Sequence, residues 1–272
     1  MTEYGNLEIL GVGKQSGGRF NKVVIAGSGK ITGSVECARF EMPGAGKIEE
    51  GGLTVHGPME ISGAGKVEGP VRADSLEVNG SLKTEGSCDV TGDAEINGSL
   101  KVEGPCVIGG SAEVSGSFKT EGDLSVGNLD VSGALSVEGR LQATDVDIDG
   151  VLKVTTEVQA EHFRAEGSVR IDGLLNAETV ELLVSGEDLI ETIGGGSVTV
   201  RQKKSAFSFF RQRPHLAAEL IEADEIHLEC TDARTVRGVN IHIGPECVID
   251  RVEYSGKLTT DANASIGEKV KI

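Results

Sequence analysis

Residues 76–93 read LEVNGS LKTEGS CDVTGD, and residues 94–111 read AEINGS LKVEGP CVIGGS. The unit is apolar, polar, apolar, polar, Gly, small. Apolar residues two positions apart fall on one face of an extended strand, and the glycine that follows permits a sharp corner. Three such faces and three corners close a coil of 17–18 residues, and successive coils stack at about 4.8 Å. Internal periods of this length mark a solenoid. The expected fold is therefore all-β: a single-stranded parallel β-helix. Gly80, Gly98 and Gly116 share one corner, and Val78, Ile96 and Val114 form one buried ladder.

The composition fits a narrow core. The 272 residues hold 39 Gly, no Trp, two Tyr and seven Phe. Aromatics bury the most area per residue, but a prism with three-residue walls has little room for rings. A disordered Gly-rich chain would not sustain apolar periodicity for about 150 residues. The pattern predicts a lead-in or cap at 1–21, a β-helix over 22–200, a basic Phe-containing loop at 201–214, and a C-terminal β segment at 215–272 stacked on the β-helix.

The net charge of −17 excludes general nucleic-acid binding, which needs Lys and Arg on phosphates. The charge is uneven. Residues 201–213 carry five basic residues and no acid, so setting them aside takes the balance from −17 to −22. Five cysteines, widely spaced and without CxxC, read as free thiols in a reducing compartment. The N-terminus has no signal-peptide pattern, and no run approaches the roughly 20 apolar residues of a membrane span. The expected location is cytoplasmic.

Few motifs in the chain could carry chemistry. GSGK at 27–30 and GAGK at 44–47 and 63–66 lack both the spacing and the following Ser or Thr of a phosphate loop, so they read as repeat corners. Cys88 and Cys106 occupy one repeat position and read as stacked buried thiols. His227 and His242, in EIHLE and NIHIG, point outward on neighbouring coils. They read as exposed strand histidines rather than a metal pair, because no third ligand is apparent. No catalytic, cofactor-binding or metal-binding residue is expected. The segment that breaks the pattern is more informative: Arg201, Lys203, Lys204, Arg211 and Arg213 flank Phe207, Phe209 and Phe210. Basic residues around aromatics suit an anionic membrane surface, and the segment reads equally as a long loop whose Phe side chains pack back on the solenoid, or else as a docking site for a partner.

The hexad run from VVIAGSGKITGSVECARF onward resembles the bactofilins, polymer-forming cytoskeletal proteins of bacteria. The whole chain, with its basic break and later TVRGVNIHIGPECVIDRVEYSG segment, resembles the longer Gram-positive forms. The resemblance implies a right-handed β-helix and end-to-end polymers formed without nucleotide or other cofactor. It also implies peripheral membrane association and roles in cell shape, wall organisation or motility. The expected partners are then other copies of the chain and an anionic membrane surface. The rival reading is a hexapeptide-repeat acyltransferase, which stacks similar faces and uses a histidine. Only His56 and His162 lie in the regular region, with no long loop beside them.

Overall fold

A computed structural model describes residues 4–203 and 214–272. The described residues contain strands and turns and no helix, and the described strand pairs are parallel. The chain divides into two compact units, Met1–Gly139 and Arg140–Ile272. Each is a β-solenoid.

In the first unit the register is the one that the hexads imply. Strand Val71–Val78 pairs with Ala94–Ile96, which pairs with Cys106–Val114. Val78, Ile96 and Val114 are in register and fully buried. Met42, Ile61 and Val131 extend the same column. Leu82, Leu100, Phe118 and Leu135 form a second column. Val71, Cys88, Cys106 and Leu124 form a third. A fourth runs Ile48, Val67, Thr84, Val102, Thr120, Val137. Its two threonines keep the β-branched shape, and each hydroxyl is satisfied: Thr84 donates to the Gly69 carbonyl at 2.8 Å and Thr120 to that of Gly104 at 2.9 Å.

The corner glycines are needed for a different reason from the one that the sequence suggests. Gly80, Gly98 and Gly116 do not have positive φ. A Cβ on Gly98 would instead collide with the Gly80 carbonyl oxygen, and one on Gly116 with that of Gly98. The corner backbones of successive coils lie against each other, and only a residue without a side chain fits between them.

Coil pairing begins early in the chain. Leu7–Ile9 pairs with Val23–Ile25, and Val12–Ser16 pairs with Ser28–Thr32. The expected lead-in at 1–21 thus supplies paired strands.

The second unit uses longer strands, such as Ser168–Val184, Glu187–Gln202 and His215–Leu228. Its alternation is less regular in sequence, yet its columns are continuous. One runs Phe163, Val180, Val198, Ile226, Ile241. Another runs Leu175, Ile193, Ile221, Val236, Val252. Strand His215–Leu228 pairs directly with Glu187–Gln202, so the chain resumes the stack after 203–214.

Candidate functional site

Two coil edges and the charged outer faces offer contact surfaces. At the N-terminal edge of the first unit, Leu7–Ile9 and Val12–Ser16 pair only toward the following coil among the described residues. Leu7 and Phe20 stand half-buried in core columns, above Val23 and Cys37. Leu10 and Val12 are 72% and 95% exposed. This edge joins unpaired strand groups to apolar side chains, the combination that recruits further strands.

At the C-terminal edge of the second unit, Leu258–Thr260 and Ser265–Lys271 pair only toward the preceding coils among the described residues. Leu258 and Ile266 continue core columns below Ile241 and Ile249 and are half-buried. Lys269 takes the register position of Val252, and Lys271 lies 6.0 Å from the Tyr254 ring.

The outer faces of the first unit differ sharply from one another. On one, in-register lysines zigzag with glutamates. Lys83 reaches Glu103 at 2.8 Å, and Lys101 joins Glu103 at 3.1 Å to Glu121 at 2.9 Å. Lys119 reaches Glu138 at 2.7 Å, and Lys47 holds both Glu49 and Glu68 at 2.7 Å. Hydrogen bonds from Lys30, then Lys47, lower the Glu49 pKa to about 2. Each cation joins its own coil to the next. On another face Glu60, Glu77, Glu95, Glu113 and Asp130 stack in register as one acidic column. Like charges directly opposite repel, and the Asn79 and Asn97 amides each donate to a member, Glu77 and Glu95, at 2.6 Å.

The expected contact segment is only partly described. Arg201 is exposed on Glu187–Gln202. Lys203 donates its backbone N–H to the Val184 carbonyl at 2.9 Å and pairs through Nζ with Glu166 at 3.2 Å. Lys204, Phe207, Phe209, Phe210, Arg211 and Arg213 lie outside the described residues.

His56 and His162 each meet a carboxylate from the preceding coil: His56 Nε2 lies 3.2 Å from Glu36, and His162 Nδ1 2.9 Å from Asp145. All five cysteines are buried and unbridged. Burial pushes the Cys37 thiol up to about 12, and Cys230 and Cys247 up to about 11. The Cys106 thiol is raised first by its hydrogen bond with Cys88 and then by burial. These thiols stay protonated at neutral pH, the inert state of a structural cysteine. His227 and His242 are in register, with stacked rings 4.5 Å apart. No described helix is long and apolar enough to cross a membrane.

Comparison with known proteins agrees with this architecture. Residues 4–89 and 75–176, together more than half of the chain, match the family described as Bactofilin, polymer-forming cytoskeletal. The chain is 43% identical over 106 residues to the uncharacterized protein YhbE of Bacillus subtilis (strain 168), a match covering 38% of this chain and 45% of that protein. It is 40% identical over 101 residues to the uncharacterized protein YhbF of the same organism, covering 37% and 42%. The chain thus spans less than half the length of these curated relatives. No solved structure matches.

Proposed function

This chain belongs to the bactofilin family of polymer-forming cytoskeletal proteins, and we propose that it is a non-enzymatic scaffold that assembles end to end, without nucleotide or metal, through the exposed edges of its solenoid. The observation that carries this reading is the N-terminal edge: unpaired strand groups beside the apolar residues Leu7, Leu10, Val12 and Phe20. A second copy docking there continues the hydrogen-bond ladder and buries those side chains. The acidic column of the first unit disfavours lateral contacts, which leaves the edges for growth.

The scaffold works inside a bacterial cell, at the inner face of the membrane, in cell shape, wall organisation or motility. Arg201, Lys203, Lys204, Arg211 and Arg213 meet anionic headgroups there, and Phe207, Phe209 and Phe210 enter the acyl boundary. Support for this part comes from the composition of the segment. Negative-stain imaging of the purified chain in EDTA, without nucleotide, tests the assembly. Filaments or end-to-end dimers are expected, and isolated single particles at tens of micromolar would contradict it.

A further inference from the structure

Two corners of the first unit carry the Asn–Gly sequences of the chain, Asn79–Gly80 and Asn97–Gly98. Both asparagines are exposed. An asparagine followed by glycine is prone to lose its side-chain amide in water. The glycine backbone nitrogen, stripped of its proton, attacks the asparagine Cγ, ammonia leaves, and a five-membered succinimide remains. Water then opens that ring to aspartate or to isoaspartate, in which the backbone runs through the former side chain. Glycine favours the closure because it has no side chain to obstruct the ring.

Three features of the stack hold this chemistry back. The attacking nitrogens are engaged: the Gly80 N–H donates to the Ile61 carbonyl at 2.9 Å and the Gly98 N–H to that of Val78 at 2.8 Å, each on the preceding coil. The side-chain amides are engaged as well. Asn79 Nδ2 donates to Glu77 and Asn97 Nδ2 to Glu95, both at 2.6 Å, and Asn97 Nδ2 also reaches Asn79 Oδ1 at 2.9 Å. The corner itself is full. The Gly80 carbonyl oxygen leaves no room for even a Cβ on Gly98, nor does the Gly63 carbonyl oxygen for one on Gly80. Ring closure requires the corner to swing until the nitrogen meets Cγ, and the neighbouring coil opposes that movement.

We propose that Asn79 and Asn97 are latent deamidation sites, silent while residues 71–114 are stacked and reactive once that stretch opens, so that opening leaves an irreversible chemical mark. Opening frees both glycine N–H groups and both amides, and local opening is the route by which protected backbone groups react. The mark also hinders closure. A new aspartate exchanges an amide donor for a negative charge beside Glu77 or Glu95, in a column where like charges already face each other. Isoaspartate adds a methylene to the backbone of a corner that has no room for a Cβ. A chain modified here therefore returns to the stack less readily than it left.

In the test, the full chain is incubated in warm, mildly alkaline buffer, folded and in urea, and conversion at each asparagine is followed by peptide mass mapping. In urea Asn79 and Asn97 should convert to aspartate and isoaspartate well before Asn128, which precedes Leu129 and serves as the slow internal reference. In the folded chain both should react at least tenfold more slowly. Val114→Asp, which puts a carboxylate next to Ile96 in the column, should speed conversion at Asn97 without urea. Equal rates at the two sites in the folded and unfolded chain would overturn the proposal, as would amides at Asn79 and Asn97 that survive in urea as long as that of Asn128. So would an unchanged folded-state rate in Val114→Asp once urea denaturation has shown that variant to be less stable.

Discussion

Lys269 stands in register with Val252. It thereby ends a column that is aliphatic through Leu175, Ile193, Ile221, Val236 and Val252. Val252 is fully buried and Lys269 is exposed. A cation at a core position of an edge strand cannot be covered by another apolar coil without losing its hydration, which is how natural sheets blunt their edges. The N-terminal edge has Leu7 above Val23 and no charge at that column. The two edges therefore differ in character, and under the proposed assembly the N-terminal one is the more adhesive.

It follows that Lys269→Val should increase association. The variant should sediment as larger species than the native chain at equal concentration, and Lys269→Arg should not. Native-like sedimentation of the Val variant would show that the lysine does not guard this edge.

Two substitutions probe the stack. Val114→Asp puts a carboxylate without a counter-ion between Ile96 and Val131 and should cost roughly 3–5 kcal/mol. Gly98→Ala drives a methyl group into the Gly80 carbonyl oxygen and should cost about 1–3 kcal/mol, although it changes no hydrophobic side chain. Urea denaturation measures both. A neutral Gly98→Ala would refute the account of the corner as a place of close backbone approach.

Asp188 supplies a pH signature. It occupies a core position in register with Leu216, and its Oδ1 accepts the Val169 N–H at 2.8 Å. Burial raises its pKa, against the opposing pull of that hydrogen bond and of His215. Because the folded value lies above the unfolded one, its contribution to stability is fully present below the unfolded pKa and is lost as pH rises through the folded pKa. Asp188→Asn keeps an acceptor for Val169 and removes the charge. It should be more stable than the native chain at pH 7, and the gap should close as pH falls toward 4. A constant gap across that range would rule out Asp188 as the source.

The basic segment is tested by flotation with vesicles of anionic and of neutral lipid. The native chain should float with anionic vesicles, less so in high salt, since exposed charges are screened over about 8 Å at physiological ionic strength. A Phe207→Ser/Phe209→Ser/Phe210→Ser variant should remain at the bottom. Equal flotation of the two proteins, or none by either, would contradict membrane contact through this segment.

Much of the fold was legible because the repeat writes register directly. Identical letters 18 apart, as in Cys88 and Cys106, become neighbours in space. What sequence concealed was whatever depends on two coils at once. The glycines looked like residues chosen for their own torsion angles, whereas their neighbour one coil away decides them. Lys101 and Glu121 looked like separate members of a solvated face, and only stacking joins them at 2.9 Å. In the second unit longer strands blur the hexad, yet the column through Val198 and Ile226 is unbroken.

The central claim is assembly through solenoid edges, and sedimentation velocity tests it most directly. The native chain and a Leu7→Asp/Val12→Asp variant are compared across a concentration series to tens of micromolar, in EDTA and without nucleotide. Both positions lie on the N-terminal edge, Val12 almost wholly exposed and Leu7 half-buried, and circular dichroism checks that the solenoid behind them stays folded. The account predicts large species or dimers for the native chain and loss of that association in the variant at unchanged circular dichroism. A native chain that stays monomeric throughout, or a variant that assembles equally well, would contradict it.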